Sequence, residues 1–230
     1  LTILEELKAP FIGVDPSLRG TALYSLIGNR SYHALMGTEA GDYPSPYERI
    51  DHIVEQVLFN IPDATTLVCI EEPIVLQGNN TIMLGALGIA IRSALWKRSI
   101  PFLSIHITHL KIYATGNAKA SKAQVIRGVE TEFGFKTSND NIADACCMAN
   151  MAKAIYCYNM QGDFPKMSCN RNQLDVISKQ RLREGFNLPW MKKKWQKQYI
   201  KPPKKSKKKT KAQRREEKFL ARTQVVRGGG

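Results

Sequence analysis

The sequence predicts a mixed α/β fold: a five-stranded sheet flanked by helices, followed by a basic C-terminal extension. Three observations carry that prediction. Three strand signals follow one another with short links, which forces an antiparallel meander. Two later strand signals are each preceded by a helix, and such crossovers make a strand run parallel to a neighbour. Finally, residues 1–191 hold 18 basic and 18 acidic side chains, whereas residues 192–222 hold 15 Lys/Arg against Glu216 and Glu217. With Arg227, the whole net charge of +14 therefore lies beyond residue 191.

Taken in order, residues 10–15 read as a central strand, because Phe11, Ile12 and Val14 form an apolar run and Pro16 then ends the ladder by lacking an N–H. Residues 21–27 and 32–36 are strands separated by the turn signal Gly28-Asn29-Arg30. Residues 37–45 are a Gly/Pro-rich loop, and Ser45-Pro46 opens a helix with Ile50, Ile53, Val54, Val57 and Leu58 at helical spacing. Residues 66–71 are a fourth strand that ends, like the first, in a carboxylate. A loop over 73–80 leads to an apolar helix over 81–98, whose Gly85, Ala86, Gly88 and Ala90 permit close packing on a sheet. Residues 101–107 read as a fifth strand, and 121–133 and 141–158 as helices, the last rich in alanine. Residues 178–186 read as a short helix, and from Pro202 the chain offers too little apolar surface to offset ordering entropy.

The totals fit one core-bearing domain over 1–160, an extension with interleaved aromatic and basic residues over 161–200, and a basic tail over 201–230 that is expected to be disordered. Such a tail suits a polyanion, nucleic acid before an anionic membrane. Five cysteines without CxxC spacing read as reduced thiols, and no structural zinc site is expected. With Glu5 and Glu6 where a signal peptide wants basic residues, and no apolar run of about 18 residues, the reading is a cytoplasmic, intracellular protein that does not enter a membrane.

The chemistry lies in the carboxylates. Asp15 and Glu71 each end an apolar strand, and if those strands are neighbours the two acids lie side by side at one sheet edge. Asp144, near the start of the late apolar helix, is the third candidate, with Asp140 one turn earlier on the same face. Glu72 is the local rival of Glu71, since strand alternation points only one of them to the site. Asp140 or Asn141 could instead cap the helix. Three or four crowded carboxylates call for a cation, and oxygen-only ligands select Mg²⁺ or Mn²⁺. Two such ions about 4 Å apart can activate a water and stabilise the leaving oxygen of a phosphodiester.

At this point the chain resembles a known family. Gly13-Val14-Asp15-Pro16 with Arg19 and Thr21, then Val68-Cys69-Ile70-Glu71, Leu84-Gly85-Ala86 through Ala94, Ser121-Lys122-Ala123-Gln124-Val125 and Ala143-Asp144-Ala145 resemble, in order over residues 10–158, the RuvC Holliday-junction resolvases of the ribonuclease H-like superfamily. The resemblance implies a homodimeric, Mg²⁺-dependent endonuclease for branched DNA, with two ions per site and no small-molecule cofactor. Asp15, Glu71 and Asp144 fall on three of the family's four metal-binding acids. The fourth position is Asn141, with Asp140 beside it, so either Asp140 substitutes or Asn141 ligates through its carbonyl. Arg19, Lys119, Lys122 and Arg127, with Lys192, Lys193 and Lys194 of the extension, are the DNA-binding candidates, and Ile74 stands where an apolar wedge could enter an opened junction. The basic extension lies outside the bacterial pattern and looks more like that of a phage or mobile-element relative. A catalytically silent ribonuclease H-like subunit of a larger nucleic-acid assembly is the alternative.

Overall fold

The computed structural model describes residues 9–72, 79–161 and 169–179. Strands β1 (Phe11–Asp15), β2 (Gly20–Ile27) and β3 (Arg30–Gly37) form the expected meander. Helix α1 (Pro46–Phe59), β4 (Leu67–Glu71), α2 (Asn79–Lys97) and β5 (Phe102–Ile105) follow, and the sheet order is β3-β2-β1-β4-β5. β1 is antiparallel to β2 and parallel to β4, and β4 is parallel to β5. The five-stranded mixed sheet is thus the one the sequence predicts, with β1 at its centre.

Every residue of β1 is buried, as its continuous apolar run requires of a strand covered on both faces. β3 is the exposed edge. Ser45 caps α1 by accepting from the Glu48 N–H, and Pro46 occupies its first turn, where a missing N–H costs nothing.

The second half differs from expectation in two places. β5 stops at Ile105 instead of continuing to Ile107, because the His106 imidazole accepts the Thr108 N–H at 3.2 Å and caps a further helix, α3 (Ile107–Thr115). Histidine is outside the usual set of capping residues, so the start signal was weak. Helix α4 (Lys122–Phe133) opens with a capping box between Ser121 and Gln124, and α5 (Asp140–Gln161) is the long alanine-rich helix. The last described helix, α6 (Arg171–Lys179), starts earlier than the expected 178–186, because Asn170 and Gln173 exchange capping hydrogen bonds of 3.0 Å; residues 180–186 lie outside the described residues.

α5 lies directly on the sheet at Gly13. A Cβ there would stand 1.9 Å from the Ala145 carbonyl oxygen and 2.6 Å from the Ala149 nitrogen, both backbone atoms that cannot step aside. Only glycine admits the helix at this depth, and Ala143, Ala145, Ala149 and Ala152 line it with equally small, fully buried side chains. The five cysteines are free, four of them buried. Among the described residues, no helix is long and apolar enough to cross a membrane.

Candidate active site

The sheet places the first two acids by register. Val14 pairs with Ile70 across the parallel β1–β4 ladder, so the next step along both strands sets Asp15 beside Glu71. The Glu71 side chain lies within hydrogen-bonding reach of Asp15, and strand alternation turns Glu72 to the opposite face. Asp15 is buried, at 6% exposure. The turn that follows it is braced: Thr21 Oγ1 donates to the Ser17 carbonyl at 2.7 Å and accepts from the Ser17 N–H at 3.1 Å. The Leu18 carbonyl accepts from both Thr38 Oγ1 and the Arg49 guanidinium at 2.5 Å.

Helix α5 supplies the other acids. Its cap is Asn139, whose Oδ1 accepts the Ile142 N–H at 3.0 Å, so neither Asp140 nor Asn141 is used for capping. Asp140 and Asp144, four residues apart, share the face toward the sheet edge, and both charges reach Asp15. Asn141 lies against β2, donating its Nδ2 to the Gly20 carbonyl at 2.8 Å.

The electrostatics are those of crowded like charges. Burial first, then the hydrogen bond and charge of Glu71 and the charges of Asp144 and Asp140, hold the Asp15 carboxyl well above its ordinary value. Asp144 is pushed up to about 7, again by burial first, then by Glu71 and Asp140, against the opposing pull of Lys122 and Lys111. Asp140 moves the other way, because the Lys122 ammonium hydrogen-bonds and pairs with it. Lys122, one of the expected DNA contacts, is therefore at the acidic cluster itself. Arg19 and Lys119 are exposed on the turns after β1 and before α4. Arg127 is also exposed, but five residues beyond Lys122 it lies about 140° further round α4 and does not share its face. Lys192, Lys193, Lys194 and Ile74 lie outside the described residues.

Among the described residues, no three His, Cys, Asp or Glu side chains already close into a metal cage. The donors nevertheless fit a hard divalent cation in kind. All are oxygens, and the raised Asp15 and Asp144 register a like-charge crowding that a cation would relieve.

RuvC of Thermus thermophilus superposes with a TM-score of 0.52 at 18% identity, over 65% of this chain and 96% of that one. The fold is RuvC-like. T. thermophilus RuvC in complex with a Holliday junction substrate gives a TM-score of 0.47 at 18% identity, over 60% of this chain and 90% of that one. No family model matches the sequence, and no characterised protein sequence matches it significantly. The shared RuvC-like fold is the ribonuclease H-like five-stranded sheet with its flanking helices.

Sequence reasoning passed over Arg92, Arg49 and Lys111. Arg92 had a signal, as a lone cation within an otherwise apolar run of α2. Arg49 had none, because a basic residue on an amphipathic helix reads as solvated until Thr38 and Leu18 fold against it.

Proposed function

We propose that this chain is a divalent-metal-dependent endonuclease that hydrolyses phosphodiesters in branched DNA of the Holliday-junction class, and that it acts as a homodimer. One observation carries the reading: a buried aspartate at the centre of a RuvC-like sheet, hydrogen-bonded to Glu71 and within the field of Asp144 and Asp140. Buried carboxylates raised by like-charged neighbours are a recurrent feature of sites that bind cations or transfer protons.

Asp15, Glu71 and Asp144 are the residues that would hold the ions, with Asp140 or the Asn141 amide oxygen completing the set. Two bound Mg²⁺ or Mn²⁺ ions supply an activated water and a stabilised leaving oxygen. The chain's own residues provide the rest. Burial of Asp15 keeps bulk water from the centre of the cluster. Lys122, anchored on Asp140, sets positive charge at the rim where an incoming phosphate would meet the acids. Arg19 and Lys119, exposed on turns, are further candidates for phosphate contact, and the basic tail would add affinity that weakens with salt and carries no sequence choice.

The test is a panel of four-way junction, duplex, flap and RNA–DNA hybrid substrates with Mg²⁺ or Mn²⁺. Paired, symmetric incision of the junction is the expected result. Tight junction binding without incision under any metal would favour the silent subunit instead.

The dimer reading draws on α2. Ile82, Ile89 and Trp96 stand 68%, 67% and 57% exposed at seven-residue intervals, a stripe that drifts by only about 20° per repeat. A two-fold pair of such helices would bury each stripe on its copy. Ile89→Glu should convert the protein to a monomer by sedimentation, with circular dichroism unchanged; a persistent dimer would rule out this face.

A further inference from the structure

We propose that Arg92 is a positioning residue for the acidic edge: it supplies the main-chain hydrogen bond that Pro16 withholds from Glu71, and so fixes the Glu71 carboxylate against Asp15. This inference rests on the metal-site reading above.

The Glu72 N–H donates to the Ile105 carbonyl at 2.8 Å, on the β5 side of β4. No described peptide bond is cis, and in a trans peptide the carbonyl points opposite to the N–H, so the Glu71 carbonyl is directed toward β1. In the β1–β4 register, where Val14 faces Ile70, the ladder donor for that carbonyl is the amide of residue 16. Residue 16 is proline and has no N–H. The carbonyl of the site glutamate is thus left without its strand partner at the end of the regular ladder.

Arg92 makes good the loss. Its Nη2 donates to the Glu71 carbonyl at 2.6 Å, while Nη1 donates to the Gly88 carbonyl at 2.7 Å and Nε to Ser104 Oγ at 3.1 Å. Three acceptors from α2, β4 and β5 therefore fix one planar group. Ser104 pairs with Ile70, so its side chain leaves the sheet on the face opposite to that of the Glu71 carboxylate. Arg92 holds the strand from behind while the carboxylate points forward to Asp15. Burial lowers the Arg92 pKa, and the charges of Glu72 and Glu71 act against that shift. A lysine could reach one of these acceptors but has no planar fork to span all three.

The experiment uses the full chain and Mn²⁺ alone, without DNA, titrated by electron paramagnetic resonance. Arg92→Met should bind Mn²⁺ about 10–100-fold more weakly, the range for residues that orient metal ligands. Arg92→Lys should remain weakened. Adding Pro16→Ala to Arg92→Met restores an amide donor on β1 and should recover about tenfold. Lost packing alone would not be recovered this way. Junction cleavage should show the same order in kcat, with KM nearly constant. If Arg92→Met fails to fold, Ser104→Ala removes only the Nε anchor and should weaken Mn²⁺ several-fold.

Wild-type Mn²⁺ affinity in Arg92→Met or in Ser104→Ala, alongside a defective Asp15→Asn, would overturn the positioning role and leave the metal site standing. A double variant no tighter than Arg92→Met would also overturn it. Mn²⁺ binding by Asp15→Asn at wild-type strength would overturn the site reading and this inference with it.

Discussion

Asp15→Asn should abolish Mg²⁺- or Mn²⁺-dependent junction cleavage, by a factor of about 10³ or more, while leaving junction affinity and the fold intact. The size follows from position: Asp15 is the buried member that touches Glu71 and feels Asp144 and Asp140. A factor of 10³ is about 4 kcal/mol of barrier, in scale with the loss of a charged ligand from a metal-dependent site. The fold should survive because the raised Asp15 carboxyl is already suited to being neutral, and an asparagine amide can donate to Glu71 in its place. Removing one of several crowded negative charges should leave thermal stability unchanged or higher. Asp140→Asn should cost less, since Asp140 is half-exposed and already paired with Lys122. Cleavage by Asp15→Asn at the wild-type rate, measured with the same junction and metal, would defeat the assignment of the site.

Why Asp15 could be found without coordinates, while its supports could not, is a matter of range. A strand that ends in an acid followed by proline is a local pattern, and so is an aspartate inside an alanine-rich helix. Those patterns singled out Asp15, Glu71 and Asp144 as candidates, and the antiparallel meander and the parallel later strands followed from which links were short and which contained a helix. The choice between Glu71 and Glu72 needed the β1–β4 register, which sets Glu71 beside Asp15 and turns Glu72 to the opposite face. The roles of Asp140 and Asn141 depended on which residue capped α5, and Asn139 fills that place. α3 escaped notice because His106 does a capping task usually done by a hydroxyl or carboxylate. Arg92 and Arg49 act on carbonyls 21 and 31 residues away in sequence, a separation that no periodicity encodes.

Without divalent metal, folding stability should fall as pH rises from about 4 to about 7, and Mn²⁺ or Mg²⁺ at pH 8 should restore it. Asp144 is the group whose shift fixes the window. Its carboxyl is raised from 3.8 to about 7, so between those values the folded chain keeps a proton that the unfolded chain has released. Stability changes with pH in proportion to protons bound unfolded minus protons bound folded, and here that difference is negative. The slope is therefore downward across the window and flattens above it, opposite to a carboxylate held in a salt bridge. Ionising Asp144 within the fold costs at most about 4 kcal/mol, given the span from 3.8 to about 7. Asp15 adds in the same direction, because its carboxyl is raised as well. A bound cation reverses the cost, since it favours the ionised acids and binds the folded chain. Urea denaturation of chelator-treated protein across roughly that pH window and about one unit above it, compared with Asp144→Asn, isolates the effect. The wild-type decline should exceed that of the variant, and Mn²⁺ at pH 8 should raise the urea midpoint of the wild type far more than that of Asp144→Asn. Parallel pH profiles for the two proteins would show that Asp144 is not in the crowded, buried setting from which its role at the site is argued.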